Sequence, residues 1–240
     1  MGELSGQAYL VVGASGALGS RIARRLADRA ADLTVTGRSP EALEIDRAHV
    51  VTADLRAPDA GNRVVTAAVE QHGRLDGVVI AAGVVAFGPV TDVDDDTVDD
   101  LVLVDFLAPL RIVRAALPVL RPGGVILGIS AVVAEKPLPN MAVYSATKAA
   151  TAALFTAVRT EARRRKIRVV DVGHRPERHD AGGDHDAVEP AVLLGGGRHH
   201  AAPGVGRAQI GGDDVCTLDV ESLGGAAGDG QRRAAIGEPP

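Results

Sequence analysis

Tyr144-Ser145-Ala146-Thr147-Lys148 sets a phenol and an ammonium four residues apart. On a helix that spacing puts both groups on one face, where they can enter a single cleft. A nearby cation favours the phenolate, which predicts a Tyr144 pKa lowered from about 10 towards a range useful for proton transfer. Ser130 precedes the pair in a loop, and its hydroxyl is suited to hold a substrate carbonyl. The bland alternative is a surface tyrosine with an unrelated lysine, yet Tyr144 is one of only two tyrosines in the chain.

A second set of residues suits a phosphate. Gly13-Ala14-Ser15-Gly16-Ala17-Leu18-Gly19 follows an apolar run and opens a helical pattern. Glycines there allow a tight turn and close approach of a pyrophosphate to free N–H groups at a helix N-terminus. Candidate contacts are Gly13, Ser15, Gly16, Leu18 and Gly19. A plain glycine-rich turn is the alternative, and its position between strand and helix weighs against it. Arg38, in Thr36-Gly37-Arg38-Ser39, stands where an acidic residue would suit a free ribose 2′-hydroxyl. An arginine there suits a 2′-phosphate, favouring NADP with NAD as the second choice, against a merely solvated loop arginine. Asp54-Leu55 would lie beside an adenine ring, and Ala81-Ala82-Gly83 would floor the nicotinamide ribose.

These residues need a scaffold that delivers them to one place. Short apolar runs predict strands at residues 9–12, 33–36, 50–52, 78–81, 125–129 and 167–172. Helical periodicity predicts helices at 21–30, 62–71, 91–120 (capped by Asp92 and acidic in its first turns) and 141–166. Strands that are apolar throughout, separated by helices, imply a parallel sheet covered on both faces: a doubly wound α/β domain. The candidate residues then fall at the carboxyl ends of successive strands, where such folds bind ligands.

Composition narrows the class further. The 240 residues carry a net charge of −5, with 46% hydrophobic and 24% charged residues. That balance suits one soluble domain, offers no basic footprint for nucleic acid, and contains no apolar run of the roughly 18 residues a membrane span needs. The lone Cys216 excludes an internal disulfide and suits a reducing compartment. The N-terminal residues lack the pattern of a signal peptide, so the expected setting is the cytoplasm. Five aromatic residues and no Trp require a core of Val, Leu, Ile and Ala.

Together the Gly13–Gly19 loop, Asp54-Leu55, Ala81-Ala82-Gly83, Ser130 and the Tyr144–Lys148 motif resemble the short-chain dehydrogenase/reductase family over residues 8–172. The resemblance implies a Rossmann-like fold and NAD(P)-dependent carbonyl/alcohol chemistry. It also implies Tyr144 as general acid/base, Lys148 binding ribose while tuning the phenol, and homodimers or homotetramers built on the two long helices. Three positions depart from the family pattern. The usual Asn-Asn-Ala-Gly reads Ile80-Ala81-Ala82-Gly83. The helix asparagine that anchors a relay water aligns with Asp105, which can hold water but adds a charge and cannot donate when ionised. The family's serine, thirteen residues before the tyrosine, falls on Ala131, and Ser130 lies one residue further back.

Beyond residue 172 the pattern stops. Val, Leu, Ile and Met number 53 in the first 172 residues and 11 in the last 68, a stretch holding 15 of the 29 glycines and five of the seven histidines. Such a segment buries too little apolar area to offset its ordering entropy. The expectation is a domain at 1–172 followed by an atypical segment at 173–240, irregular or disordered, with a scrap of strand at 215–220. A reading-frame shift near codon 172 explains the abruptness, and a genuine divergent extension is the rival. His179, Asp180, Asp184 and His185 read as a solvated polar tail, and no metal is expected. Overall the sequence implies an oxidoreductase, or alternatively a catalytically impaired NADP-binding product lacking its substrate lid.

Overall fold

The computed structural model describes residues 2–43, 45–173 and 206–208. Six strands form one parallel sheet. In chain order they are β1 (Ala8–Val12), β2 (Asp32–Gly37), β3 (His49–Thr52), β4 (Gly77–Ile80), β6 (Val125–Ile129) and β7 (Arg168–Val172). Their spatial order is β3-β2-β1-β4-β6-β7, the doubly wound arrangement, with a switch in winding direction between β1 and β4. β1 is buried along its whole length, as a central parallel strand must be.

Alternation along the strands divides the core between two faces. Leu10, Val12, Val78, Ile80 and Ile126 point to one side. There they meet α2 (Ala60–His72), α4 (Ala108–Val119) and α5 (Ala142–Ala162) through Val64, Ile112, Phe155 and their neighbours. Tyr9, Val11, Val35, Val79 and Leu127 point to the other side, against Ile22, Ala23 and Leu26 of α1 (Ala17–Asp28). Two rings of the core lie on strand glycines: Phe155 occupies the space where Gly128 would carry a Cβ, and Tyr9 that of Gly77. With so few aromatics, each needs a neighbour without a side chain in order to pack flat against the sheet.

The helix expected at 91–120 is three pieces. α3 (Asp95–Val102) starts from Asp94, whose carboxylate accepts from Thr97 N at 2.7 Å. Asp92 instead accepts from the Thr91 hydroxyl. Only Asp94 combines an extended backbone with the position that reaches the first free N–H groups, so it displaces Asp92 as the cap. Leu103–Leu107 then makes a π-helical turn before α4 begins. α5 ends at Ala162, and the basic residues after it form a short tight turn closed by Lys166 at φ 57°.

Two strands lie outside the sheet. β5 (Val85–Phe87) follows the β4 loop and pairs antiparallel with β8 (Gly206–Ala208). β8 is the only part of 174–240 among the described residues, so that segment is not patternless throughout. The scrap of strand expected at 215–220, the polar cluster at 179–185 and Cys216 lie outside the described residues.

Candidate active site

A cleft of about 1040 Å³, open solvent at its mouth included, runs along the carboxyl ends of the strands across the β1/β4 switch point. Its lining includes Gly13, Ser15, Gly16 and Leu18 from the first turn and Arg38 after β2. Asp54 and Leu55 follow from the β3 loop, Ala82 and Gly83 from the β4 loop, Ser130 after β6, and Lys148 from α5. Gly19, Asp105 and Tyr144 are not part of that lining: Gly19 and Asp105 are buried, and Tyr144, 5% exposed, lines a separate small pocket with Ala86, Asn140 and Met141.

The first turn is shaped for a close ligand. Gly13 has φ 84°, and a Cβ there would lie 2.6 Å from Ala82 N. A Cβ on Gly19 would strike the Gly13 carbonyl. α1 starts at Gly16 with no side-chain cap and no acidic residue in its first turn, so its N–H groups and the positive end of its dipole face the cleft. Beside it, Arg38 is exposed and close enough to Asp54 to help hold that carboxyl below its ordinary pKa. The main cause is Arg56, whose Nη2 lies 2.7 Å from Asp54 Oδ2 and whose Nη1 reaches Asp100 at 3.4 Å.

At the other end, α5 delivers Tyr144 and Lys148 on one face. The Lys148 Nζ sits 5.6 Å from the Tyr144 ring centroid. It also lies 3.2 Å from Asp105 Oδ1 and donates to the Ile129 carbonyl at 3.4 Å. Asp105 Oδ1 accepts from Val84 N at 3.1 Å, whereas its Oδ2 is buried without a partner among the described residues. The π-helical turn shapes this contact: the Asp105 backbone carbonyl accepts from Thr151 Oγ1, one α5 turn beyond Thr147. Burial pushes the Asp105 carboxyl above its usual range, partly offset by Lys148 and the Val84 N–H.

The phenol behaves differently from the expectation. Burial, with Asp105 as a second cause, pushes Tyr144 above its ordinary pKa rather than below it. Taking the phenol out of water disfavours its charged form, and the buried Asp105 carboxylate adds a smaller push in the same direction. Ser130 is also fixed. Its N–H donates to both the Val172 carbonyl and Asp171 Oδ1 at 3.1 Å, and its buried Oγ has no partner among the described residues. Gly173, at φ 126°, packs against it, where a Cβ would come within 2.9 Å of Ser130 Oγ.

Residues 7–174 match the family model described as short chain dehydrogenase. The chain belongs to the short-chain dehydrogenase/reductase family. An uncharacterized oxidoreductase of Methylorubrum extorquens is 35% identical over 179 residues, covering 70% of this chain and 72% of its own. Among solved structures, a metagenomic short-chain oxidoreductase in complex with NADP is 32% identical. It superposes with a TM-score of 0.67 over 71% of this chain and 83% of its own. The landomycin C-6 ketoreductase with bound NADP and rabelomycin is 29% identical, with a TM-score of 0.66 over 72% and 77%.

Two features of this short-chain dehydrogenase/reductase escaped the sequence reading. Arg56 lines the cleft and joins Asp54 to Asp100, an arrangement signalled only by the Asp-x-Arg spacing. Thr151, on the same α5 face as Tyr144 and Lys148, bonds the π-helical turn, and its position one turn past the motif was the only clue. Among the described residues no group of His, Cys, Asp or Glu could hold a metal, and no helix is long and apolar enough to cross a membrane.

Proposed function

We propose that the chain is an NADP(H)-dependent oxidoreductase acting between a small-molecule carbonyl and its alcohol, with Tyr144 as general acid/base. The observation that carries this is the convergence on one cleft of an uncapped glycine turn, an exposed arginine, and Ser130 beside Lys148. The residues fit a dinucleotide, since the space at Gly13 and Gly19 admits no side chain. Gly13, Ser15, Gly16, Leu18 and Gly19 would hold the pyrophosphate, and Arg38 a 2′-phosphate. Asp54 and Leu55 would flank the adenine, and Ala82, Gly83 and Lys148 would hold the nicotinamide ribose. NAD is the second choice. The NADP held by two solved relatives supports this order.

When bound, such a cofactor supplies or accepts a hydride. The chain's own groups do the rest. Ser130 Oγ, buried and unpartnered, donates to the carbonyl oxygen and orients it. Tyr144 gives that oxygen a proton in reduction and takes one back in oxidation. Asp105 steadies Lys148 beneath Gly83. The test is a fluorescence titration with NADPH, followed by turnover over a panel of ketones and aldehydes. Tyr144→Phe is expected to abolish turnover and retain binding; a chain that binds no nicotinamide dinucleotide sinks the proposal.

One observation favours a second reading. The pairing of Lys148 with Asp105 withdraws charge from Tyr144, as in a binding protein of weak activity. NADPH binding with no turnover over the whole panel supports that alternative.

The change in composition after residue 172, and a family match that ends at 174, support a reading-frame shift near codon 172. Residues 1–172 would then be the NAD(P)-binding domain and 173–240 a replaced segment. Translating the other two frames tests this; a strand-and-helix pattern absent from both overturns it. A cytoplasmic homodimer or homotetramer through α4 and α5 completes the proposal, with light scattering on the purified chain as its check.

A further inference from the structure

We infer that Asp105 is a positioning residue that moves alcohol oxidation at this site to alkaline solution, by holding the Lys148 ammonium in a buried ion pair beside Tyr144. The inference rests on the function proposed above and adds the pH at which each direction of the reaction runs. Its basis is geometric. Asp105 Oδ1 lies 3.2 Å from Lys148 Nζ, with the two side chains 0% and 4% exposed. The Val84 N–H fixes the same oxygen. Gly83 packs against the pair: a Cβ there would sit 2.9 Å from Oδ1 and 3.3 Å from Nζ, so the position admits no side chain without displacing it.

Among the described residues the surroundings of Tyr144 are largely apolar. β5 and α3 contribute Val85, Ala86 and Leu101 to its cluster, and the loop before α5 contributes Val133 and Met141. Among the described residues, the charged groups that reach the ring are Asp105 from the π-helical turn and Lys148 from α5 itself. Burial among apolar side chains disfavours a phenolate, and the carboxylate beside the ammonium opposes the field that would favour one.

The pH dependence follows from proton accounting. In reduction, the carbonyl carbon gains a hydride from the reduced nicotinamide. The Tyr144 O–H bond breaks, a new O–H bond forms on the substrate oxygen, and the resulting phenolate recovers a proton from solvent. Oxidation runs the reverse and must start from the phenolate. A phenol that stays protonated keeps the reductive form populated through the neutral range, while the oxidative form waits for alkaline solution. The overall equilibrium is unchanged; what differs is the pH at which each direction runs.

The chain has two tyrosines and no tryptophan, so tyrosinate absorbance reports Tyr144 directly once Tyr9→Phe removes the other phenol. In that background, Tyr144 is expected to titrate above the ordinary value of about 10. Adding Asp105→Asn is expected to move the midpoint down by about one unit, about a tenfold rise in phenolate at fixed pH. A midpoint unmoved by Asp105→Asn overturns the inference. Circular dichroism at each pH confirms that the chain is folded. Should Asp105→Asn not fold, the unsubstituted chain decides: oxidation still rising past about pH 9 with reduction flat supports the inference, and oxidation at a plateau below that pH overturns it. Because the absorbance needs no turnover, failure of NADPH binding sinks the proposed function alone. Turnover with an unmoved midpoint sinks this inference alone.

Discussion

The Lys148 ammonium lies 3.2 Å from Asp105 Oδ1, and both side chains are almost wholly buried. Removing one partner of such a pair strands the other charge in the core, at a cost of about 3–5 kcal/mol. Lys148→Met and Asp105→Leu are each expected to destabilise by about that much. The double substitution is expected to cost much less than their sum. Urea unfolding of the four chains measures the coupling, and simple additivity would show that the pair carries no such interaction.

Ser130→Ala separates stability from activity. The Oγ is buried without a partner among the described residues, so its removal breaks no hydrogen bond, and stability should change by less than about 0.5 kcal/mol. Turnover should fall by roughly 10²-fold, the usual cost of one donor to a reacting oxygen. An unchanged kcat in a normally stable variant would remove Ser130 from the mechanism.

Arg38 reads the nucleotide. Arg38→Ala is expected to weaken NADPH binding by about tenfold or more and leave NADH nearly unaffected, because a charge-assisted hydrogen bond is worth about 1.5–3 kcal/mol. Paired titrations at one salt concentration give the ratio. Equal losses for both nucleotides would place Arg38 outside any contact with a 2′-phosphate.

Alkaline solution should weaken the fold through its two phenols. Burial raises both Tyr9 and Tyr144, with Asp76 and Asp105 respectively as second causes. Unfolded phenols ionise near pH 10, so above about that value the unfolded chain binds fewer protons than the folded one and stability falls as pH rises. Below it this contribution is fully present. Tyr9→Phe with Tyr144→Phe is expected to flatten the alkaline limb of unfolding free energy against pH. A limb equally steep in the double variant would assign the loss to other groups.

Much of the scaffold was legible because its signals are local. β1 and β6 are continuous apolar runs, and a central strand buried on both faces must read that way. The four-residue step from Tyr144 to Lys148 placed both on one face of α5 from helical period alone. The breaks were harder to see. The π-helical turn at Leu103–Leu107 keeps an apolar period on either side, so 91–120 reads as one helix. β5 spans three residues, too few for any period to show. Asp92, Asp94, Asp95 and Asp96 are all chemically able to cap α3, and backbone conformation selected Asp94.

The sequence by itself determined the parallel α/β framework, the glycine turn and the family, since each depends on residues adjacent in the chain or one helical turn apart. Only the tertiary structure decided which charge Lys148 meets. Asp105 and Lys148 lie on separate helical segments, brought together where the π-helical turn packs on α5. Burial first, and the Asp105 carboxylate second, set the direction in which Tyr144 is shifted, because desolvation and charge effects depend on distances that no local pattern records.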